Sequence, residues 1–283
     1  MPVRKPSTER QRRLGAELRR MREHIGMSIN EAATLHRTDR TTVSNTESAR
    51  SGVSSDRVRV WASNYRCPET QYVDALVAMA RERGTNWWDE YRDSLPASLL
   101  DIAEMEHHAS MLQSAQIMHV PGILQQPDYM RGIFDEAVPT MDPEDLDRHI
   151  EFRVRRSALL DRADAPPCEF LVHESALRMR FGDRGILRRQ LEHLLGQAER
   201  PNVTLRVVPF ETGGFANAGS STLYACGPVS ELDTVQIDVP TGVSFLHAET
   251  YLVNYRAVLD RMRKRAIEPA PSLGFIRQVA KEI

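Results

Sequence analysis

The stretch TDRTTVSNTESARSG, residues 38–52, decides how this chain is read. Hydroxyl, amide and basic side chains surround one clear apolar anchor, Val43. With Thr38 as N-cap, a short helix turns Val43 inward and spreads Arg40, Thr41, Thr42 and Asn45 around its outer face. Such a face is built to touch something beyond the protein's own core.

The flanking sequence supplies helices on either side. Thr8-Glu9-Arg10-Gln11 and Ser28-Ile29-Asn30-Glu31 each have the form of a capping box. From the first box Leu14, Leu18, Met21 and Ile25 recur at helical spacing, and Gly26 supplies a C-terminal stop. Ala32 and Ala33 in the second helix leave room for another helix to approach. A fourth helix follows Ser55 with Val58, Trp61, Ala62 and Tyr65 inside. A fifth runs to about Arg83 with Val73, Leu76, Val77 and Ala80 inside, closed by Gly84.

Charge divides the chain in the same place. Residues 1–66 hold 14 Lys and Arg against 7 Asp and Glu, a balance of +7, which leaves −9 for the remainder of a chain whose net charge is −2. The front suits a polyanion and the rear does not. Hydrophobic residues make up 41% of the 283 and charged residues 27%, the composition of a globular protein with room for two cores. No apolar run nears the roughly 18 residues that span a bilayer. The N-terminus lacks a secretory core, and Cys67, Cys168 and Cys226 show no paired spacing, so the expected location is a reducing cytoplasm.

Five short helices with a small-residue second and a polar-faced third match a helix-turn-helix domain, whose third helix enters the major groove of double-stranded DNA. Arg bonds bidentately to guanine, Asn to adenine, and Thr reaches either or a thymine methyl. Arg40, Thr41, Thr42 and Asn45 are the expected readers, with Ser28, Arg37 and Arg50 as further DNA-binding positions. Arg4, Lys5, Arg10, Arg12 and Arg13 offer a basic lead-in along the phosphates. On periodicity alone, a solvated face of an all-helical interaction domain fits equally well.

The run LGAELRRMREHIGMSINEAATLHRTDRTTVSNTESARSG resembles the Xre-type helix-turn-helix. Leu14, Leu18, Arg19, Gly26, Ser28, Ala33, Val43, Ser44 and Glu47 stand where that pattern wants them. Ala32 replaces a leucine, Arg37 the usual glycine of the turn, and Thr46 an apolar residue. Those departures favour a looser core, and Arg37 and Thr46 favour a competing expectation, an interaction adaptor or antitoxin that has lost specific DNA binding.

In the second half, Trp87 and Trp88 are expected to pack rather than stack on nucleic acid. EHHASMLQSAQIMHVPG reads as a helix or strand entering a Pro-Gly turn, followed by a helix from about Pro127. MDPEDLDRHIEFRVRRSALLDR is a helix with Leu146, Ile150, Val154 and Leu160 inside; its Arg153, Arg155 and Arg156 read as a charged face offset by Glu144, Asp145 and Asp147. CEFLVHESAL is a strand into a turn, GILRRQLEHLLGQAER a helix and NVTLRVVPF a strand, a parallel strand–helix–strand unit. STLYAC, TVQIDVP and VSFLHAE are further strands, and two helices close the chain. The expected fold is α+β: a five-helix domain over 1–84, then a larger α+β domain with a small mixed sheet over 85–283, of which 85–96 is a linker.

VPGILQQPDYMR, ERPNVTLRVVPF and the run from TGVSFLHAE onward resemble the C-terminal domain of WhiJ-type regulators. These are actinobacterial, antitoxin-like transcription factors with an Xre-type front, and the match extends from about Leu14 to Ala280. The resemblance implies a small, acidic partner protein encoded nearby and no catalytic residues. It fits a regulator, expected to repress and to sit on the nucleoid as a homodimer, with a rear domain that senses a partner or ligand.

Enzyme chemistry finds little support. His107, His108 and His119 lack metal-ligand spacing. His173-Glu174 reads as an ordinary turn, and the loop ETGGFANAGSST lacks the signature of a phosphate-binding loop and reads as a flexible hairpin loop. A faint resemblance to phospholipase-D-like sensor domains comes without their histidine–lysine pair and implies binding without hydrolysis. No cofactor, metal or catalytic group is expected.

Overall fold

The computed structural model describes residues 6–82, 84–239 and 242–283. Arg4, Lys5, the expected helix end at Arg83 and the Pro240 that closes TVQIDVP lie outside the described residues. The chain divides into two compact units, Met1–Asp89 and Glu90–Ile283.

The first unit is five helices: α1 (Glu9–His24), α2 (Ile29–Leu35), α3 (Arg40–Glu47), α4 (Ser55–Asn64) and α5 (Thr70–Arg81). Both capping boxes form. Gln11 N donates to Thr8 Oγ1 at 3.3 Å and Thr8 N to Gln11 Oε1 at 3.2 Å. Glu31 N donates to Ser28 Oγ at 3.2 Å and Ser28 N to Glu31 Oε2 at 2.7 Å. Gly26 follows the end of α1 at φ 68°, the left-handed turn that the stop requires.

Three expectations shift here. The N-cap of α3 is Asp39 rather than Thr38, because one carboxylate serves two donors: Oδ1 takes Thr42 N and Oδ2 takes the Thr42 hydroxyl, both at 2.7 Å. Helix α5 stops at Arg81, short of the expected end, and Glu82 turns extended at φ −68°, ψ 103°. Tyr72, not the half-buried Val73, takes the interior place, because its hydroxyl donates to the buried carboxylate of Glu17.

Leu14, Leu18, Met21, Val43, Val58, Trp61, Tyr65 and Leu76 form the interior of this unit. Ala32 and Thr46, two of the departures from the Xre-type pattern, are 0% and 3% exposed. The close backbone approach falls at Gly15, where a Cβ would lie 2.7 Å from the carbonyl oxygens of Thr46 and Glu47.

The second unit is α+β around a six-stranded mixed sheet of order β3-β2-β1-β4-β5-β6. Its strands are β1 (Met111–Gln116), β2 (Cys168–His173), β3 (Val203–Val208), β4 (Thr222–Cys226), β5 (Thr234–Val239) and β6 (Gly242–Leu246). Helices are α6 (Ala97–His107), α7 (Pro127–Asp135), α8 (Pro143–Ser157), the short α9 (Glu174–Arg178), α10 (Arg184–Gln197), α11 (Glu249–Arg265) and α12 (Pro269–Glu282). β2 and β3 are parallel and joined through α10, as the strand–helix–strand reading requires. Leu112, Phe170, Val172, Leu205 and Val207 face one apolar cluster with Leu191 and Ile276. Ala115, Leu171, Tyr224 and Val235 face another with Leu252, Leu259 and Met262 of α11. With helices over both faces, every residue of β2 is buried.

In this unit three positions differ from the expected ones. Val154 is 43% exposed, and Phe152 and Arg156 take the buried face of α8 beside Ile150. Arg156 does so because it meets the buried Glu106 of α6 at 3.1 Å, while Arg153 donates to Gln125 Oε1 at 3.1 Å and lies over the Phe134 ring. Glu144 and Asp145 pair instead with Arg148, and Asp147 with Arg131. The loop ETGGFANAGSST is no hairpin loop, since β2 and β1 stand between β3 and β4 in the sheet.

Candidate nucleic-acid interface

Helix α3 is eight residues long and owes its start to the Asp39 cap and its seat to Val43, which is 0% exposed. That seating leaves Arg40 and Thr41 exposed and Asn45 half-exposed. At 3.6 residues per turn these three span an arc of about 140° on the outer side. Thr42 is half-buried and its hydroxyl is committed to Asp39, so α3 offers three of the four expected readers freely.

The remaining expected positions surround α3 in the chain. Arg37 is exposed in the turn before it, with φ 52°. That left-handed conformation is the one glycine adopts without cost, so Arg37 holds the backbone shape of the residue it replaces. Arg50 is exposed just after α3. Ser28 is exposed at the start of α2; its oxygen accepts from Glu31 N, which leaves its hydroxyl proton for an outside acceptor.

The lead-in of α1 is arranged otherwise than expected. Arg10 pairs with Glu82 at 3.2 Å, Arg12 with Glu9 at 2.6 Å, and Arg13, 4% exposed, with Glu17 at 2.6 Å. Arg13 is interior, and the other two charges are matched at home.

Several groups that shape this surface were not legible as such. Arg22 and Glu47, both buried, form a two-pronged pair that joins α1 to the end of α3. Arg22 stands one turn beyond Leu18 on the apolar stripe of α1, a signal that it points inward. His36 ends α2, stacks on Trp61 at 4.4 Å and lies 2.9 Å from the Tyr65 hydroxyl, while Asn64 Nδ2 reaches its other ring nitrogen at 3.1 Å. Burial pushes the His36 imidazole down to about 4, aided by the nearby Arg57 guanidinium. Asp39 is held below the ordinary carboxylate range by its bonds to Thr42, which keeps a full negative charge at the head of α3.

The histidines of the second unit sit among ring and side-chain contacts. His107 Nδ1 is 2.8 Å from Arg162 Nη1, His119 stacks on Phe181 at 4.9 Å, and His173 Nδ1 is 2.6 Å from Ser175 Oγ as the cap of α9. The Glu174 carboxylate accepts from Arg178 and from Phe210 N. Among the described residues no group of three or more His, Cys, Asp or Glu is placed to hold a metal, and no helix is long and apolar enough to cross a membrane.

Residues 13–72 match a family described as a helix-turn-helix domain, which supports a DNA-binding regulator. Residues 99–278, more than half of the chain, match a family described as a domain of unknown function, DUF5753. No curated protein and no solved structure matches the chain. The chain therefore belongs to the DUF5753 family and carries a helix-turn-helix domain ahead of the segment that defines it.

Proposed function

We propose that this protein is a sequence-specific transcriptional regulator of the WhiJ type, which reads the major groove with the outer face of α3. The observation that carries the reading is the exposed Arg40 and Thr41 beside Asn45 at the leading end of that helix, inside a matched helix-turn-helix segment. Arg40 bonds a guanine edge, Asn45 an adenine edge and Thr41 either partner. Arg37, Arg50 and Ser28 hold the phosphates on either side, and the half-buried Thr42 supports the helix through Asp39. One such helix covers only a few base pairs, so the protein binds a palindrome as a homodimer.

The larger domain is the input, with no catalytic role. Its negative balance disfavours DNA, and the WhiJ-type resemblance favours a small acidic protein over a metabolite as the thing it senses. A signal that favours one DNA-binding state by about 1–3 kcal/mol changes occupancy roughly 5- to 150-fold, which suffices for repression and release.

Selection from a random double-stranded DNA pool with the full-length protein tests the reading. A palindromic consensus with half-sites one helical turn or a multiple apart is expected. Enrichment of no sequence, at low salt as well as moderate salt, sinks it and favours the interaction adaptor.

A further inference from the structure

The two edges of the sheet are finished differently. At the β3 edge, Val207 N donates to Ser272 Oγ at 3.0 Å and the Val207 carbonyl accepts from Ile267 N at 2.9 Å. The start of α12 and the residues before it thereby occupy that edge. At the other end of the sheet, β6 pairs along its whole length with β5, from Gly242 opposite Val239 to Leu246 opposite Val235. Among the described residues no further backbone hydrogen bond reaches β6 from its outer side.

Open edges are normally protected by charge, by proline or by a covering element. The sequence of β6, GVSFL, has neither a charge nor a proline, and Val243, Ser244, Phe245 and Leu246 are all half-exposed. Alternation puts Val243 and Phe245 on one face of the sheet with Asp238 and Gln236. Ser244 and Leu246 take the other, where Leu246 packs against the α11 cluster.

We propose that β6 pairs antiparallel with β6 of a second copy, joining two six-stranded sheets into one continuous sheet across a twofold axis. With the β3 edge blocked at Val207, β6 is the edge left open along its whole length among the described residues, and a single self-pairing edge closes as a dimer instead of growing into a filament. The strand is also self-complementary about Ser244. Antiparallel pairing centred there sets Val243 opposite Phe245 of the second copy, an aromatic–β-branched pair of the stabilising kind, and Gly242 opposite Leu246. A neutral strand in a domain of negative balance lets two copies meet without like charges at the contact. The purpose of this dimer rests on the proposed palindromic reading, while its formation needs no DNA.

Light scattering on the full-length, DNA-free protein tests it. A particle of twice the chain's 32.2 kDa is expected at micromolar concentration. Val243→Lys and Phe245→Lys should each bring the mass to that of one chain with an unchanged far-ultraviolet circular dichroism spectrum, because two lysines then face each other's strand across the axis. Val243→Lys is the gentler change and stands if Phe245→Lys fails to fold. Ser244→Cys should give a reducible covalent dimer under mild oxidation, above the background of the three native cysteines in wild type. A monomeric wild type, a wild type held by a different protein on β6, or folded lysine variants that remain dimers would each overturn the proposal. A monomer that still selects an operator removes this interface and leaves the DNA reading intact; a β6 dimer that selects no DNA does the reverse.

Discussion

Arg22 of α1 and Glu47 at the end of α3 form a buried two-pronged ion pair, with Nε and Nη2 donating to the two carboxylate oxygens at 2.6 and 2.8 Å. Arg22 Nη1 also donates to the Met27 carbonyl at 2.7 Å, so one guanidinium fixes α1, the turn after it and α3. The pair therefore sets the pose of the helix that carries Arg40, Thr41 and Asn45.

Removing one member of a buried pair strands the other. Glu47→Ala should cost about 3–5 kcal/mol of stability in the first unit, whereas Arg22→Met with Glu47→Leu should cost far less because no charge is left uncompensated. Urea unfolding of both variants decides it. Equal losses in the two would mean that the pair contributes little beyond packing.

Gly15 makes a second, independent claim about the same helix contact. A methyl group there would press on the Thr46 and Glu47 carbonyls, with backbone on both sides and no flexible side chain to yield. Gly15→Ala should destabilise by about 1–3 kcal/mol, against the small gain that alanine brings to an unconstrained helix. A thermal melt showing stabilisation would contradict the contact.

His36 gives the first unit an acid limit. Its imidazole ordinarily titrates near 6.5 and is pushed down to about 4 in the folded protein. A depressed histidine contributes stability that is complete above the ordinary value and is lost as pH falls toward the folded one. The protection of amides in α2 and α4, corrected for the intrinsic exchange rate at each pH, should therefore fall between pH 6.5 and about 4, and His36→Phe should flatten that part of the profile. An identical profile in the variant would remove His36 as the cause.

Arg37 is a case where the fold and the proposed function pull apart. At φ 52° a glycine relieves backbone strain, so Arg37→Gly should raise stability by about 0.5–1 kcal/mol. The same change removes a proposed phosphate contact, which should make the slope of log affinity against log salt shallower by about 0.9. Melting and salt titration on one variant read the two effects separately; a steeper or unchanged slope would remove Arg37 from the DNA surface.

The parts of this fold that could be read in the sequence are those written in local chemistry. Thr8–Gln11 and Ser28–Glu31 announce their helices because cap donors and acceptors sit three residues apart. Val43 marks the seat of α3 as the lone aliphatic residue in a polar stretch. The start of α3 was displaced by one residue because Thr38 and Asp39 both make good caps, and the carboxylate wins by serving two Thr42 donors at once. β1 stayed open between helix and strand in MLQSAQ because Gln113, Ser114 and Gln116 interrupt the apolar alternation that marks a strand, although Ser114 is buried. Arg156 as an interior group and Arg153 as a half-buried one were unreadable, since Glu106 and Gln125, which receive them, are distant in sequence. For α3 the exposed residue types were legible, while the buried pair and the glycine contact that aim them were not.

The claim that α3 reads DNA is tested most directly by Arg40→Ala and Asn45→Ala. Affinity for the selected operator should be measured by fluorescence anisotropy together with a scan of single base-pair changes. Losing one good base contact costs on the order of 1–3 kcal/mol. Each variant should bind the operator correspondingly more weakly and become indifferent to the base pair at one position, a different one for each. Wild-type affinity and an unrelaxed base preference in both variants would contradict the account.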